Sequence, residues 1–151
     1  MLKVGDKAPD FKLFNSELKE VSLHDYAGKK LIIQFFPQAF TGVCTEQLCE
    51  ARDNMAVYQG LGAEVLAVSV DSVFTLAKFK ADNAYTFAML SDFNKTTSAA
   101  YGALYEEFAF GMKGVSRRAA FAIDGDGVIR YAEVLESAGD LPNFIALRAA
   151  L

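Results

Sequence analysis

The sequence predicts an α/β sandwich: a mixed central β-sheet flanked by helices, with a β-hairpin at the N-terminal end. Three observations carry this. Two continuous apolar runs, LIIQFF at 31–36 and AEVLAVSV at 63–70, have the character of strands buried on both faces. Each is followed by a stretch with helical spacing of apolar residues. Further on, AAFAIDGDGVIRYAEV at 119–134 reads as two alternating β-rich runs around an Asp-Gly-Asp-Gly turn, a hairpin. Strands that alternate with helices and then close with a hairpin give a sheet of mixed direction covered by helices.

The elements follow in order. PDFKLF and KEVSL read as a small hairpin around Asn15-Ser16. Pro37 ends the first buried strand. TEQLCEARDNMAVYQGLG, 45–62, reads as a helix, because Leu48, Ala51, Met55 and Tyr58 recur at helical spacing and Gly60 and Gly62 mark a stop. After the second buried strand, Asp71-Ser72 offers a cap for a helix over about 73–82. FAMLSD at 87–92 is a third strand, and NKTTSAAYGAL at 94–104 a helix ending at Gly102. Beyond the C-terminal hairpin, Asp140 caps a last helix, LPNFIALRAAL, with Pro142 in its first turn, where proline is tolerated. There is no internal repeat, low-complexity segment or linker, and 151 residues are expected to form one domain, 1-151.

Hydrophobic residues make up 52% of the chain and charged residues 23%, a balance that supports a packed core and argues against disorder. Thirteen Phe and no Trp point to a Phe-rich core. The net charge is -4 with no basic run, so electrostatics give no case for nucleic acid binding. No apolar stretch approaches the length of a membrane span. MLKVGDKAPDF lacks the apolar region of a signal peptide, and a cytoplasmic setting is expected. There, a lone cysteine pair is more often catalytic or metal-binding than a structural disulfide.

That pair, Cys44 and Cys49, lies in FFPQAFTGVCTEQLC at 35–49, directly after the first buried strand. If the helix starts near Thr41 to Val43, Cys44 falls in its first turn, where N–H groups are unpaired and the helix dipole is positive. Both favour a sulfur anion, the reactive form of cysteine. The same N–H groups can bind an incoming oxygen. Pro37, which lacks an N–H, shapes the loop and helps keep water out. Thr41, three residues before Cys44, can point its hydroxyl along the same turn. Cys49 differs. In a regular helix, residues five apart have Cα atoms about 8.6 Å and about 140° apart, whereas a disulfide needs about 7 Å or less. Either the two never bond, or the first turn unwinds when they do. In the second case Cys44 oxidised to sulfenic acid is attacked by Cys49. Two blander readings stand beside this one. Both thiols can be small apolar core residues. A zinc site is short of ligands, with His24 the sole histidine and no second cysteine pair. The spacing C-x4-C is also not a redox C-x-x-C.

Pro37-x3-Thr41-x2-Cys44 resembles the active-site signature of the peroxiredoxins. TGVCTEQLC is similar to the Q-type or bacterioferritin-comigratory group, which has a resolving cysteine five residues downstream. FFPQAFTGVC, SDFNK, AYGAL and SRRAAFAIDGDGVIRYAEV are also similar to the one-cysteine group named alkyl hydroperoxide reductase E, and VGDKAPDF is typical of both. The resemblance covers nearly the whole chain and implies a thioredoxin-like fold and reduction of hydroperoxides. It makes Cys44 the peroxidatic cysteine, gives Thr41 a hydrogen bond to the peroxide oxygen, and has Pro37 shield the pocket. The family's arginine precedes a strand reading R-x-x-F, which here is Arg118 in Arg118-Ala-Ala-Phe121. Arg117 is adjacent; strand alternation aims one of the two inward, and the spacing to Phe121 favours Arg118. The resemblance further implies that Cys49 resolves the sulfenic acid and that thioredoxin or a similar dithiol reduces the disulfide. The one-cysteine likeness implies instead that an external thiol recycles Cys44. No metal or organic cofactor is required, and related peroxiredoxins are monomers or homodimers. The resembled pattern carries a glutamate where this chain has Gln47, which keeps hydrogen bonding but loses the charge. A disulfide oxidoreductase is the other activity such a fold could host; it would need neither Thr41 nor Arg118.

The remaining features have simpler readings. Asp124-Gly-Asp126-Gly127 resembles the opening of a calcium loop, but the twelfth position is Leu135, so a hairpin turn is preferred. His24 reads as a surface residue. Arg52-Asp53 can be a surface pair, or Arg52 can support the active-site network as in some relatives. Phe40 and Phe110 could lie at a dimer contact, though core packing is the commoner fate of Phe.

Overall fold

The computed structural model describes residues 1–151. Its strands are β1 (Lys12–Asn15), β2 (Glu20–Ser22), β3 (Lys30–Phe35), β4 (Ala63–Ser69), β5 (Ala88–Ser91), β6 (Ala119–Ile123) and β7 (Ile129–Val134). Its helices are α1 (Gly42–Asp53), α2 (Met55–Gly60), α3 (Val73–Asn83), α4 (Thr96–Ala100) and α5 (Phe144–Ala149). All seven strands join one sheet in the order β2-β1-β5-β4-β3-β6-β7. The middle strands β3, β4 and β5 are parallel, while β1, β2, β6 and β7 pair antiparallel to their neighbours. No helix is long and apolar enough to cross a membrane.

Strand alternation divides the core into two layers. Ile32, Phe36, Val65, Ala67, Met89, Ala120 and Ala122 face one side, where Leu48 and Ala51 of α1, Tyr58 of α2, Leu76 and Phe79 of α3 and Leu147 of α5 pack on them. Leu31, Ile33, Phe35, Leu66, Val68, Leu90, Phe121 and Ile123 face the other, under Phe11, Tyr101 and Ala103. The continuous apolar runs of β3 and β4 are therefore buried on both faces, as expected of central parallel strands. The register then builds the site. Phe35, at the end of β3, lies opposite Ala119, at the start of the antiparallel β6. Residues just after β3 and just before β6 thus meet at the same end of these two neighbouring strands, although more than 70 positions separate Cys44 from Arg118.

The elements differ from the sequence reading at their ends. The helix expected over 45–62 is two helices, joined at Asn54 (φ −112°, ψ 16°). The Asn54 amide donates to the Glu50 carbonyl at 2.8 Å, and this local bond competes with continued helix. The segment 94–104 forms only the short α4, and Leu104 pairs instead with Ser116. The last helix begins later than Asp140 implies. Its cap is Asn143, whose side chain accepts from the Ala146 N–H at 3.0 Å, and Pro142 lies outside it. The expected Asp71-Ser72 cap of α3 is present, with Ser72 the member that accepts from the Thr75 N–H, at 3.2 Å. Phe110 is 98% exposed and Phe40 is exposed with its ring against Phe79 at 5.1 Å, so neither takes the core fate that is commoner for Phe.

The end of α3 carries a specific strain. Ala84 is left-handed (φ 54°, ψ 40°), the Ala84 N–H donates to Ala81 O, and the Tyr85 N–H reaches back to Lys80 O at 3.1 Å. This is a Schellman-type ending, which glycine normally supplies because a Cβ in that region costs about 1–2 kcal/mol. Ala84→Gly is expected to stabilise the fold by about 1 kcal/mol. In a urea titration the midpoint should rise with an unchanged slope; a lower midpoint would contradict the strain.

Candidate active site

The site is assembled from the first turn of α1, the residue before β6 and the loop after β7. The first backbone hydrogen bond of α1 runs from the Thr45 N–H to the Thr41 carbonyl at 3.0 Å. Gly42, Val43 and Cys44 therefore supply the N–H groups that a helix start leaves free. Cys44 is the third residue of this helix, and it is 1% exposed. The preceding loop is held by Asp71, whose carboxylate accepts from the Ala39 N–H at 2.8 Å and from the Ser69 hydroxyl at 2.7 Å. Pro37 is buried in this loop and Phe40 is left-handed (φ 67°).

Arg118 is 2% exposed and spans the site. Its Nη2 donates to the Cys44 sulfur at 3.4 Å and to the Ala138 carbonyl at 2.8 Å. Its Nε also reaches Ala138 O, at 3.2 Å, and Nη1 donates to the Gln47 amide oxygen at 2.8 Å. None of these partners is a carboxylate, and the Cys44 sulfur is the one ionisable group among them. Gln47 is one turn along α1 from Cys44 and donates in turn to Gln34 Oε1 at 2.9 Å. Gln34 sits in β3 between Ala67 of β4 and Ala120 of β6, whose small side chains leave it room. Its Nε2 is buried with no partner.

Of the residues singled out from the sequence, Cys44 and Arg118 are in direct contact and Pro37 lies in the loop that leads to them. Thr41 caps α1 by position, but its hydroxyl donates to the Gln38 carbonyl at 2.9 Å and makes no bond to Cys44. Cys49 lies further along α1, half-buried, with its sulfur 3.6 Å from the Tyr85 hydroxyl; both cysteines are free thiols. Arg117 points elsewhere, over the Tyr105 ring at 5.0 Å. Arg52 bonds Asp53 and the Asn83 carbonyl at the end of α3, away from Arg118. Gln34, Asp71 and Ala138 were not singled out for the site. A glutamine inside LIIQFF was the one available signal, since a polar residue in a doubly buried strand needs a partner.

A thiol at a helix start, facing a buried guanidinium at the strand ends of a thioredoxin-like sheet, defines a thiol-based redox enzyme. The AhpC/TSA family matches residues 4–132. The chain is 36% identical over 137 residues to alkyl hydroperoxide reductase E of Mycobacterium tuberculosis, covering 89% of this chain and 86% of that protein. It is 35% identical over 132 residues to peroxiredoxin Bcp of Escherichia coli, covering 86% and 84%. The crystal structure of peroxidoxin BcpB from Mycobacterium tuberculosis superposes with a TM-score of 0.87 at 25% identity, covering 99% of this chain and 96% of that one. The chain belongs to the AhpC/TSA family: it is a peroxiredoxin, a thiol peroxidase of the oxidoreductase class.

Gln47 bonds Arg118 and Gln34 at once, so Gln47→Met should strand a buried N–H of the guanidinium and the Gln34 oxygen. A loss of about 3 kcal/mol in unfolding free energy is expected, read by denaturant titration of the reduced protein. A loss under about 0.5 kcal/mol would show that water replaces the amide at no cost.

Proposed function

We propose that Cys44 is the peroxidatic cysteine, that Arg118, Thr41 and the helix N–H groups bind the hydroperoxide, and that Cys49 resolves the oxidised Cys44. The observation that carries the reading is the 3.4 Å bond from Arg118 to the Cys44 sulfur at the start of α1. Hydrogen peroxide or an organic hydroperoxide is the substrate. The Cys44 thiolate attacks the distal oxygen in line with the O–O bond, the S–O bond forms as O–O breaks, and water or alcohol leaves after taking a proton. Negative charge moves from sulfur onto both oxygens during this step. The Arg118 guanidinium and the free N–H groups are fixed beside that path before the reaction begins. Thr41 spends its hydrogen on the Gln38 carbonyl, which leaves its oxygen lone pairs to accept the hydrogen of ROOH. The buried Pro37 and Ala39 keep water from the sulfenic acid.

Cys49 then displaces hydroxide from the Cys44 sulfenic acid, the proton lost by Cys49 completes a water molecule, and an intramolecular disulfide results. Both cysteines belong to the continuous α1, so this step requires its first turn to unwind. Thioredoxin or a similar dithiol reduces the disulfide, in a cytoplasmic protein of one domain that is a monomer or homodimer. The intact helix and the Cys49–Tyr85 contact favour a second reading, in which an external thiol reduces Cys44 directly.

Purified protein with hydrogen peroxide and a thioredoxin system distinguishes these. Cys44→Ser should abolish peroxide consumption, and activity retained in that variant sinks the assignment. Cys49→Ser should consume one equivalent and then stall; sustained turnover with thioredoxin would move the protein to the one-cysteine reading. Arg118→Met should lower the rate constant of Cys44 oxidation by about 100-fold. Because the chain has no Trp, competition with a haem peroxidase is the suitable rate measurement.

A further inference from the structure

We propose that the Tyr85 hydroxyl is a latch on the resolving step, holding the first turn of α1 and Cys49 together; this rests on Cys49 being the resolving thiol. Tyr85 follows α3 and is 4% exposed. Its hydroxyl donates to the Thr45 carbonyl at 3.3 Å and lies 3.6 Å from the Cys49 sulfur. The phenol has one hydrogen, so with Thr45 O as its acceptor the Cys49 S–H is the donor of the second contact. Burial pushes the Tyr85 phenol well above the ordinary tyrosine range, so it stays a donor. The ring is fixed: it stacks on Phe87 at 5.1 Å and meets Phe79 edge-on at 5.4 Å. The Schellman bond to Lys80 O fixes its backbone. Tyr85 is thus the stationary half of the latch and α1 the moving half.

Both hydroxyl contacts belong to the folded, reduced helix. To reach Cys44, the Cys49 sulfur must leave the phenol, and the unwinding turn must draw Thr45 O from it. Cys49 then forms the S–S bond, the S–O bond of Cys44 breaks, and water leaves with the Cys49 proton. A contact that stabilises the starting state and not the unwound one slows this step. It also lengthens the time in which a second peroxide can carry Cys44 to sulfinic acid.

The test uses the full chain with Tyr85→Phe, which keeps the ring packing and deletes the hydroxyl. Reduced protein is mixed with hydrogen peroxide, quenched in acid, and its thiols and oxidised forms are counted by mass. Disulfide formation should be about threefold faster than wild type, and the sulfinic fraction at excess peroxide lower by a similar factor. Hydrogen exchange should quicken at residues 45–49 and stay unchanged in α3. 3-Fluorotyrosine at position 85 alone, a stronger donor, should slow disulfide formation; a ring that serves only packing would leave this rate at wild type. Disulfide formation in Tyr85→Phe at or below the wild-type rate overturns the latch. Should that variant fail to fold, the fluorotyrosine protein decides. A wild-type protein that forms no Cys44–Cys49 disulfide overturns the resolving role itself, and the latch with it.

Discussion

A guanidinium taken out of water costs several kcal/mol unless its N–H groups are met and a negative charge faces it. Arg118 is in that position, nearly fully buried and without a carboxylate partner. Much of the local architecture follows from satisfying it. The loop after β7 brings Ala138 O, which accepts twice; α1 brings Gln47 Oε1; and Gln47 is aimed by Gln34 from the middle of β3. Three separate segments are thereby tied to one side chain, β3 through Gln47. Had Gln47 been a carboxylate, it would have supplied a permanent countercharge. An amide supplies direction without charge, so the electrostatic demand of Arg118 falls on whatever occupies the sulfur side, which in the proposed reaction is the Cys44 thiolate or a peroxide oxygen. Under that proposal the cation that is costly to bury is available to the reaction.

The sheet makes that arrangement inexpensive in chain entropy. β3 and β6 are neighbours in opposite directions, so the end of one and the start of the other coincide once the sheet has formed. Alternation decides which arginine enters. Ala120 and Ala122 face the α1 layer, so Arg118 shares their side while Arg117 turns to the other. Strand order and parity bring Arg118 to the end of β3; the loop held by Asp71 and the start of α1 then place Cys44 against it.

What could be read from the chain follows the range of the signal. The buried strands, the C-terminal hairpin and the helix start at Cys44 are announced by short-range patterns, and so is the inward member of the Arg117-Arg118 pair. No short-range pattern marks the break at Asn54, because the apolar spacing continues through it, from Ala51 to Tyr58, while the competing amide bond is a side-chain event. Asp71 looked like a cap beside Ser72, yet its carboxylate serves the loop at Ala39, 32 residues away. Gln34, Ala138 and Tyr85 acquire their roles only through partners distant in sequence. No window of local pattern contains those partners, and tertiary context alone assigns them.

The two ends of α1 are held differently, and this bears on where the helix can yield. Past Cys49, Arg52 caps the Asn83 carbonyl of α3. Glu50 accepts from Asn54, Tyr58 and Arg148, and the Arg148 guanidinium lies over the Tyr58 ring at 5.7 Å. Burial and the Glu50 carboxylate push the Tyr58 phenol up to about 12, which keeps it a donor in this cluster. The beginning of the helix has fewer ties: Thr41 and Gly42 are exposed, no side chain caps the first turn, and Phe40 enters it through a left-handed residue. Opening free energy follows the bonds that must break. An opening that frees Cys44 but leaves Arg52, Glu50 and Tyr58 engaged is therefore the least costly one. It also leaves the residues past Cys49 anchored on α3 and α5 while the turns from Cys44 to Cys49 move, and lets the helix re-form on an intact remainder without a new nucleus.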